Sequence, residues 1–246
     1  MTYENEQGQQ LPGTYRDSRE RTPDSARDNN ERHRTIPKRR GSKYADILLR
    51  RLQTTVLHDA DSAVIGMLSF ARRQGVTTQA VNLAIRAADH GHTPSLVIDA
   101  NFHNQKVTRM YRCTGQGLGE CINGQAAIDN CVKKTNIPGF NTLGAGRNKL
   151  SKQILLDPEY STEFFKVVRN DFKFTVVDLP ATREPSVVES IVPQLDGVLL
   201  VARYGARKEQ LAAMQAKVRN AGGQVYGIVM TGNEQKLPGW LPKFLS

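Results

Sequence analysis

Residues Ala63 to Ala80 read AVIGMLSFARRQGVTTQA. AVIGMLSF is an unbroken apolar run of strand length, and such a run fits a strand buried on both faces. ARRQG follows as a turn. From Thr77 onward TTQAVNLAIRAADHG carries apolar residues at helical spacing until Gly91 ends it. A buried strand, a glycine-containing turn and a helix opening on hydroxyls is the layout of a phosphate-binding loop, G-x-x-x-x-G-K-[ST]. In that loop backbone N–H groups cradle phosphate, the lysine reaches the β- and γ-phosphates and the hydroxyl holds magnesium. Gly75, Thr77 and Thr78 occupy the second-glycine and hydroxyl positions, whereas Val76 occupies the place of the lysine. Taken alone, G-x-T-T arises often by chance.

The rest of the chain repeats the alternation. PSLVIDA (Pro94 to Ala100), FKFTVVDLP, DGVLLVARY and QVYGIVMT are further apolar strands, with a brief one near Phe140 to Leu143. Short helical pieces are expected around Val107 to Tyr111 and Gly117 to Val132. Longer helices are expected from Glu159 to about Asn170 and over Leu211, Met214, Val218 and Ala221. YADILLRRLQTTV places Ala45, Leu48, Leu52 and Val56 on one face of a helix that docks on the core. Buried strands separated by amphipathic helices imply an α/β fold with a mostly parallel central sheet and helices on both faces. Ligands of such sheets bind beyond the carboxyl ends of the strands. Asp99 ends the second strand and Asp178 the strand from Phe174. Each could be a mere loop or N-cap aspartate; with the loop at Gly75 they make three sites at three strand ends in ATPase order.

Composition bounds the alternatives. The chain has 246 residues, 39% hydrophobic and 24% charged, which suits one domain with a tail. Residues 1–43 hold ten Lys/Arg against seven Asp/Glu and almost no aliphatic side chains, so they are expected to form a disordered basic tail before an ATPase-like domain over 44–246. No apolar run of about 18 residues occurs and MTYENEQGQQLPG is no secretory signal, which points to the cytoplasm. The odd trio Cys113, Cys121 and Cys131 matches no metal spacing and reads as reduced structural thiols. A net charge of +10 suits an acidic partner, and RHRTIPKRRGSK (Arg32 to Lys43) suits anionic lipid or the tail of a membrane partner. That segment lacks interleaved aromatics and no base-reading motif occurs, which disfavours nucleic acid. Trp240, Leu241, Phe244 and Leu245 are expected to dock on the domain itself, since Pro238 and Pro242 prevent a continuous amphipathic helix.

From Tyr44 to Thr231 the sequence resembles the bacterial tyrosine kinases of polysaccharide export systems, a branch of the ParA/MinD group of P-loop ATPases. SFARRQGVTTQAVNLAIRAADHGHTPSLVIDAN looks like that family's loop, helix and second motif, CTGQGLGECINGQAAIDNCV like its Gly-Leu turn with two small helices, FNTLGAGR like its short strand and Gly-rich turn, and FTVVDLPAT like its strand-borne aspartate motif. The resemblance implies ATP or ADP with magnesium as cofactor, Gly75 and Thr77 on phosphate, and Thr77, Asp99 and Asp178 on the magnesium or catalytic side. It also implies a membrane co-polymerase or chain-length regulator as partner and a possible homo-oligomer at the inner membrane. Departures accompany it: Val76 for the lysine, Arg73 for the first loop glycine, Asn101 for a further aspartate, Thr231 for an adenine-reading asparagine, and GWLPKFLS in place of a tyrosine cluster. Arginine takes positive φ only with strain, so repairing the loop is expected to need Arg73→Gly together with Val76→Lys. The resulting expectation is a degenerate, weakly active or inactive kinase relative acting as a regulator or adaptor in exopolysaccharide synthesis. Alternatives are an active divergent ATPase or autokinase using Arg72 or Arg73 in place of the lysine, and a ParA-like nucleic-acid binder.

Overall fold

The computed structural model describes residues 42–55, 60–91, 94–147, 158–182 and 185–232. The expected tail as far as residue 41 and the terminal Trp240–Leu245 cluster lie outside them, as does Val56, while Ser42 and Lys43, expected in the tail, open the first helix. The sheet has seven strands: β1 (Ala63–Ser69), β2 (Ser95–Asp99), β3 (Val132–Lys134), β4 (Phe140–Leu143), β5 (Phe174–Asp178), β6 (Gly197–Arg203) and β7 (Val225–Thr231). They run in the order β3-β4-β2-β5-β1-β6-β7. All pairings are parallel except β3 with β4. β1 is buried at all seven positions, as its unbroken apolar run requires.

Alternation along the strands serves two cores. Val64 and Leu68 of β1, Leu96 and Ile98 of β2, and Val198 and Leu200 of β6 join one cluster. Helices α6 (Pro158–Asp171), α7 (Pro185–Ile191) and α8 (Lys208–Asn220) pack into it through Phe164, Phe165, Val188, Met214 and Val218, and Leu118, Ile122 and Ile128 join it as well. On the other face Ile65, Met67, Val97 and Val176 are buried toward α2 (Val76–Gly91). The Ser95 hydroxyl marks that side, donating to the Ala84 carbonyl at 2.8 Å. α1 (Ser42–Thr55) lies on α2 through Ala45, Leu49 and Leu52, so Leu49 takes the buried place expected of Leu48. Asp46 bonds Arg86 at 3.4 Å and His90 at 3.2 Å across that contact. Helices therefore cover both faces.

The segment Gly117 to Val132 holds the two short helices expected of it, α4 (Leu118–Ile122) and α5 (Ile128–Cys131), with Gly124 turning the chain at φ 68° between them. Two details depart from expectation. Strand β3 follows α5, a short exposed edge without an apolar run to announce it. Tyr226, expected to be buried, is half-buried because β7 is the sheet's other edge, where Ile228 and Met230 are each 48% exposed.

Strand order decides where a ligand can sit. β1 leads through α2 to β2 on one side, and β5 leads through α7 to β6 on the other. Connections thus leave in opposite directions at neighbouring strands, and the crevice at their carboxyl ends is the expected site.

Candidate functional site

The loop from Phe70 to Gly75 leaves β1 into that crevice. Arg73 takes φ 64° and Gly75 φ 94°, with Gln74 between them on the ordinary side. Positive φ at alternate residues is the backbone pattern of anion-binding nests, in which successive N–H groups converge. Arginine in the left-handed region costs about 1–2 kcal/mol relative to glycine. The turn forms nevertheless, because its flanks are fixed. Thr182 N–H donates to Ser69 O at 2.9 Å, and the Thr182 hydroxyl to Phe70 O at 3.2 Å. On the other flank the Thr231 hydroxyl, at the end of β7, donates to Gln74 O at 2.8 Å. Thr231 thus latches the loop.

Val76 is the first residue of α2 and is buried. One position on, the Thr77 hydroxyl donates to Asp178 Oδ2 at 2.6 Å. Asp178 is 1% exposed and its second oxygen, Oδ1, has no partner. Burial pushes the Asp178 carboxyl up to about 7, the Thr77 bond opposing the rise, with Asp99 adding to it and Lys106 easing it.

Asp99 is the in-register neighbour of Asp178 on β2. Its Oδ2 accepts from Thr108 N–H at 2.9 Å and from the Thr108 hydroxyl at 2.8 Å, and its Oδ1 from Asn101 N–H at 3.2 Å. Burial raises its carboxyl too, against those bonds. Both oxygens face the protein, and Asp99 does not line the cavity that holds the loop. It fastens α3 (Lys106–Met110) to the sheet instead.

The cavity at the loop is lined by Arg72, Arg73, Gly75, Thr77, Asp178 and, from the segment after β2, Lys106, among others. Its volume is about 30 Å³, the space of one water. Thr78 is exposed on α2 and lies outside it. A larger cleft of about 670 Å³ between α4, α5 and α6 is walled mainly by Ile122, Ala126, Ile128 and Phe164 and carries no catalytic constellation. Lys106 and Thr108 belong to no recognisable motif, and only their closeness in sequence to the end of β2 could have singled them out. In the sequence Thr231 stands out as a departure at an adenine-reading position, not as a contact of the loop.

The residues fit magnesium and phosphate unequally. Magnesium usually takes one or two carboxylates together with the substrate's own phosphates, not a full protein cage. The Thr77 hydroxyl and the orphaned Asp178 Oδ1 suit that division, and no group of three His, Cys, Asp or Glu stands ready for a metal among the described residues. The phosphate side has the turned backbone but lacks a lysine at position 76.

No protein-family model matches the chain. It is 22% identical over 173 residues to the tyrosine-protein kinase CpsD of Streptococcus agalactiae, covering 69% of this chain and 75% of that protein. To the succinoglycan biosynthesis transport protein ExoP of Rhizobium meliloti it is 27% identical over 160 residues, 63% of this chain but 20% of that one. In structure it resembles the kinase domain of the Escherichia coli tyrosine kinase ETK, with a TM-score of 0.70 and 16% identity over 80% of this chain and 78% of that one. The septum site-determining protein MinD of Pyrococcus horikoshii, solved with Mg-ADP, gives a TM-score of 0.57 and 17% identity over 75% and 77%. The chain is thus a homologue of bacterial tyrosine kinases built on a P-loop ATPase fold like that of MinD.

Proposed function

We propose that this chain is a catalytically degenerate tyrosine-kinase-like protein that acts as a regulator or adaptor in exopolysaccharide synthesis or export, through a membrane co-polymerase partner. The observation that carries this reading is Val76, buried in the first turn of α2 where a lysine would meet the β- and γ-phosphates. In phosphoryl transfer the protein contributes mainly position and electrostatics. Losing one such charged group costs on the order of a hundredfold in rate or more. Magnesium-bound ATP or ADP would bring the phosphates and the metal charge. Thr77 and Asp178 would hold the magnesium side, Arg72, Arg73 and Gly75 the phosphates, and Asp99 would position α3 through Thr108. The names of the relatives support the pathway, and the excess positive charge suits a peripheral place at the inner membrane.

A second reading, an active divergent ATPase or autokinase, draws on Arg72 and Arg73, which both line the cavity. Turnover separates the two. The purified chain with magnesium-ATP should show phosphate release near background and no phosphotyrosine. In a deletion strain of its own host, the double change Thr77→Ala with Asp178→Ala should restore polymer yield as fully as the unmodified gene. Steady hydrolysis, or failure of the double variant alone to complement, would replace the adaptor by the active enzyme.

A further inference from the structure

We propose that Lys106 supplies the positive charge absent at position 76, so that the cavity between the loop and α3 binds the terminal phosphates of a nucleoside di- or triphosphate without needing to hydrolyse them. The inference rests on reading residues 70–77 as a phosphate loop, and is independent of whether that loop turns over.

The cavity's lining carries three cations, Arg72, Arg73 and Lys106, against one carboxylate, Asp178. A site with that balance favours a polyanion, most of all where low-dielectric walls weaken solvent screening. The cations differ in setting. Arg72 and Arg73 are exposed on the loop, whereas Lys106 is half-buried and enters from the segment after β2.

Lys106 also stands on an anchored element. Two residues on, Thr108 gives both its N–H and its hydroxyl to the buried Asp99 carboxylate, while its Oγ1 accepts from Ala145 N–H at 2.9 Å. One residue before, the Gln105 side chain donates to Gly146 O at 3.2 Å. A lysine held this way loses less freedom on meeting an anion than one on a mobile loop. The buried, unpartnered Asp178 Oδ1 is the independent sign of a ligand, since a buried acceptor left open costs stability unless a metal or water fills it. An ammonium and a magnesium-suited carboxylate in one cavity match the two halves of a metal-bound polyphosphate.

The test is fluorescence titration of the full chain with a fluorescent magnesium-ATP analogue at fixed ionic strength, followed by displacement with inorganic tripolyphosphate. Lys106→Met keeps the aliphatic stem and removes the charge, Lys106→Arg restores a charge, and Lys166→Ala removes an exposed lysine on α6. Circular dichroism confirms that each variant is folded. Expected are saturable binding to the unmodified chain, displacement by tripolyphosphate, and about tenfold or more weakening in Lys106→Met, the loss of one charge-assisted contact. Lys106→Arg should recover most of it and Lys166→Ala should change nothing. Binding of Lys106→Met equal to the unmodified chain overturns the proposal, as does equal weakening in Lys166→Ala, which would show only bulk charge. No saturable binding to the unmodified chain overturns it as well, while leaving the adaptor reading intact. Binding accompanied by fast turnover would overturn the adaptor reading and leave this proposal standing.

Discussion

Replacing Asp178 by asparagine should stabilise the ligand-free protein in neutral and alkaline solution. The carboxyl is buried beneath the loop with one oxygen unpartnered, and burial lifts it from 3.8 to about 7. For an acid raised in the folded state, the native form binds its proton more tightly than the unfolded chain does. Stability therefore falls as pH rises from the unfolded value to the folded one, and the full penalty applies above about 7. A shift of roughly three units corresponds to about 4 kcal/mol. More than half of it should develop between pH 5 and pH 8. Asparagine keeps an oxygen to accept from Thr77 at the 2.6 Å position, but turns an amide toward the cavity where Oδ1 had no partner. Allowing for that, the variant should exceed the unmodified protein at pH 8 by about 2–4 kcal/mol. Urea denaturation at pH 5, 6, 7 and 8 with EDTA measures the difference, and groups common to both proteins cancel. Parallel stability profiles for the two proteins would refute the buried-charge account.

Thr77→Val removes the donor to Asp178 and should cost about 1–3 kcal/mol at pH 8 in the same denaturation assay, and less at pH 5, where the carboxyl is largely protonated. Arg73→Gly relieves the left-handed arginine and should raise stability by about 0.5–1 kcal/mol, read as a higher thermal midpoint; a drop would mean that the side chain offsets its strain. Val76→Lys alone should tighten magnesium-ATP binding about tenfold in calorimetry. Arg73→Gly should add little to it, because the loop already turns at φ 64°. Cys113, Cys121 and Cys131 are all buried, and burial holds each thiol above its ordinary range, so a disulfide-exchange reagent should label them only after denaturation.

Strands that bury both faces were the most legible elements. β1 spans Ala63–Ser69 and β6 Gly197–Arg203 as their apolar runs indicate, because such runs have no other place in a folded chain. β3 and α7 were not legible: VKK is an exposed edge and PSVVESI is too short for a periodicity to show. The site divides the same way. Thr77 and Asp178 meet because α2 follows β1, and β1 lies beside β5, which ends on Asp178. Asp99 reads identically in sequence, yet its carboxylate faces Thr108 and Asn101, and nothing local reveals which way a strand-end aspartate points. The strain expected at Arg73 was legible from residue type. That the fold tolerates it was not, because the bonds from Thr182 and Thr231 come from residues far along the chain.

The bond from Thr231 to Gln74 has a bearing on biosynthesis. It spans 157 residues and joins the last described strand to the first strand's exit loop. During translation the loop leaves the ribosome early but cannot acquire its closed shape until β7 has emerged and docked beside β6. At about 5–20 residues per second, that leaves the loop open for some 8–30 seconds of synthesis. A nascent chain arrested before Thr231 therefore carries every motif of the loop and none of its latch, so any ligand that stabilises the loop can assist only the last step of folding.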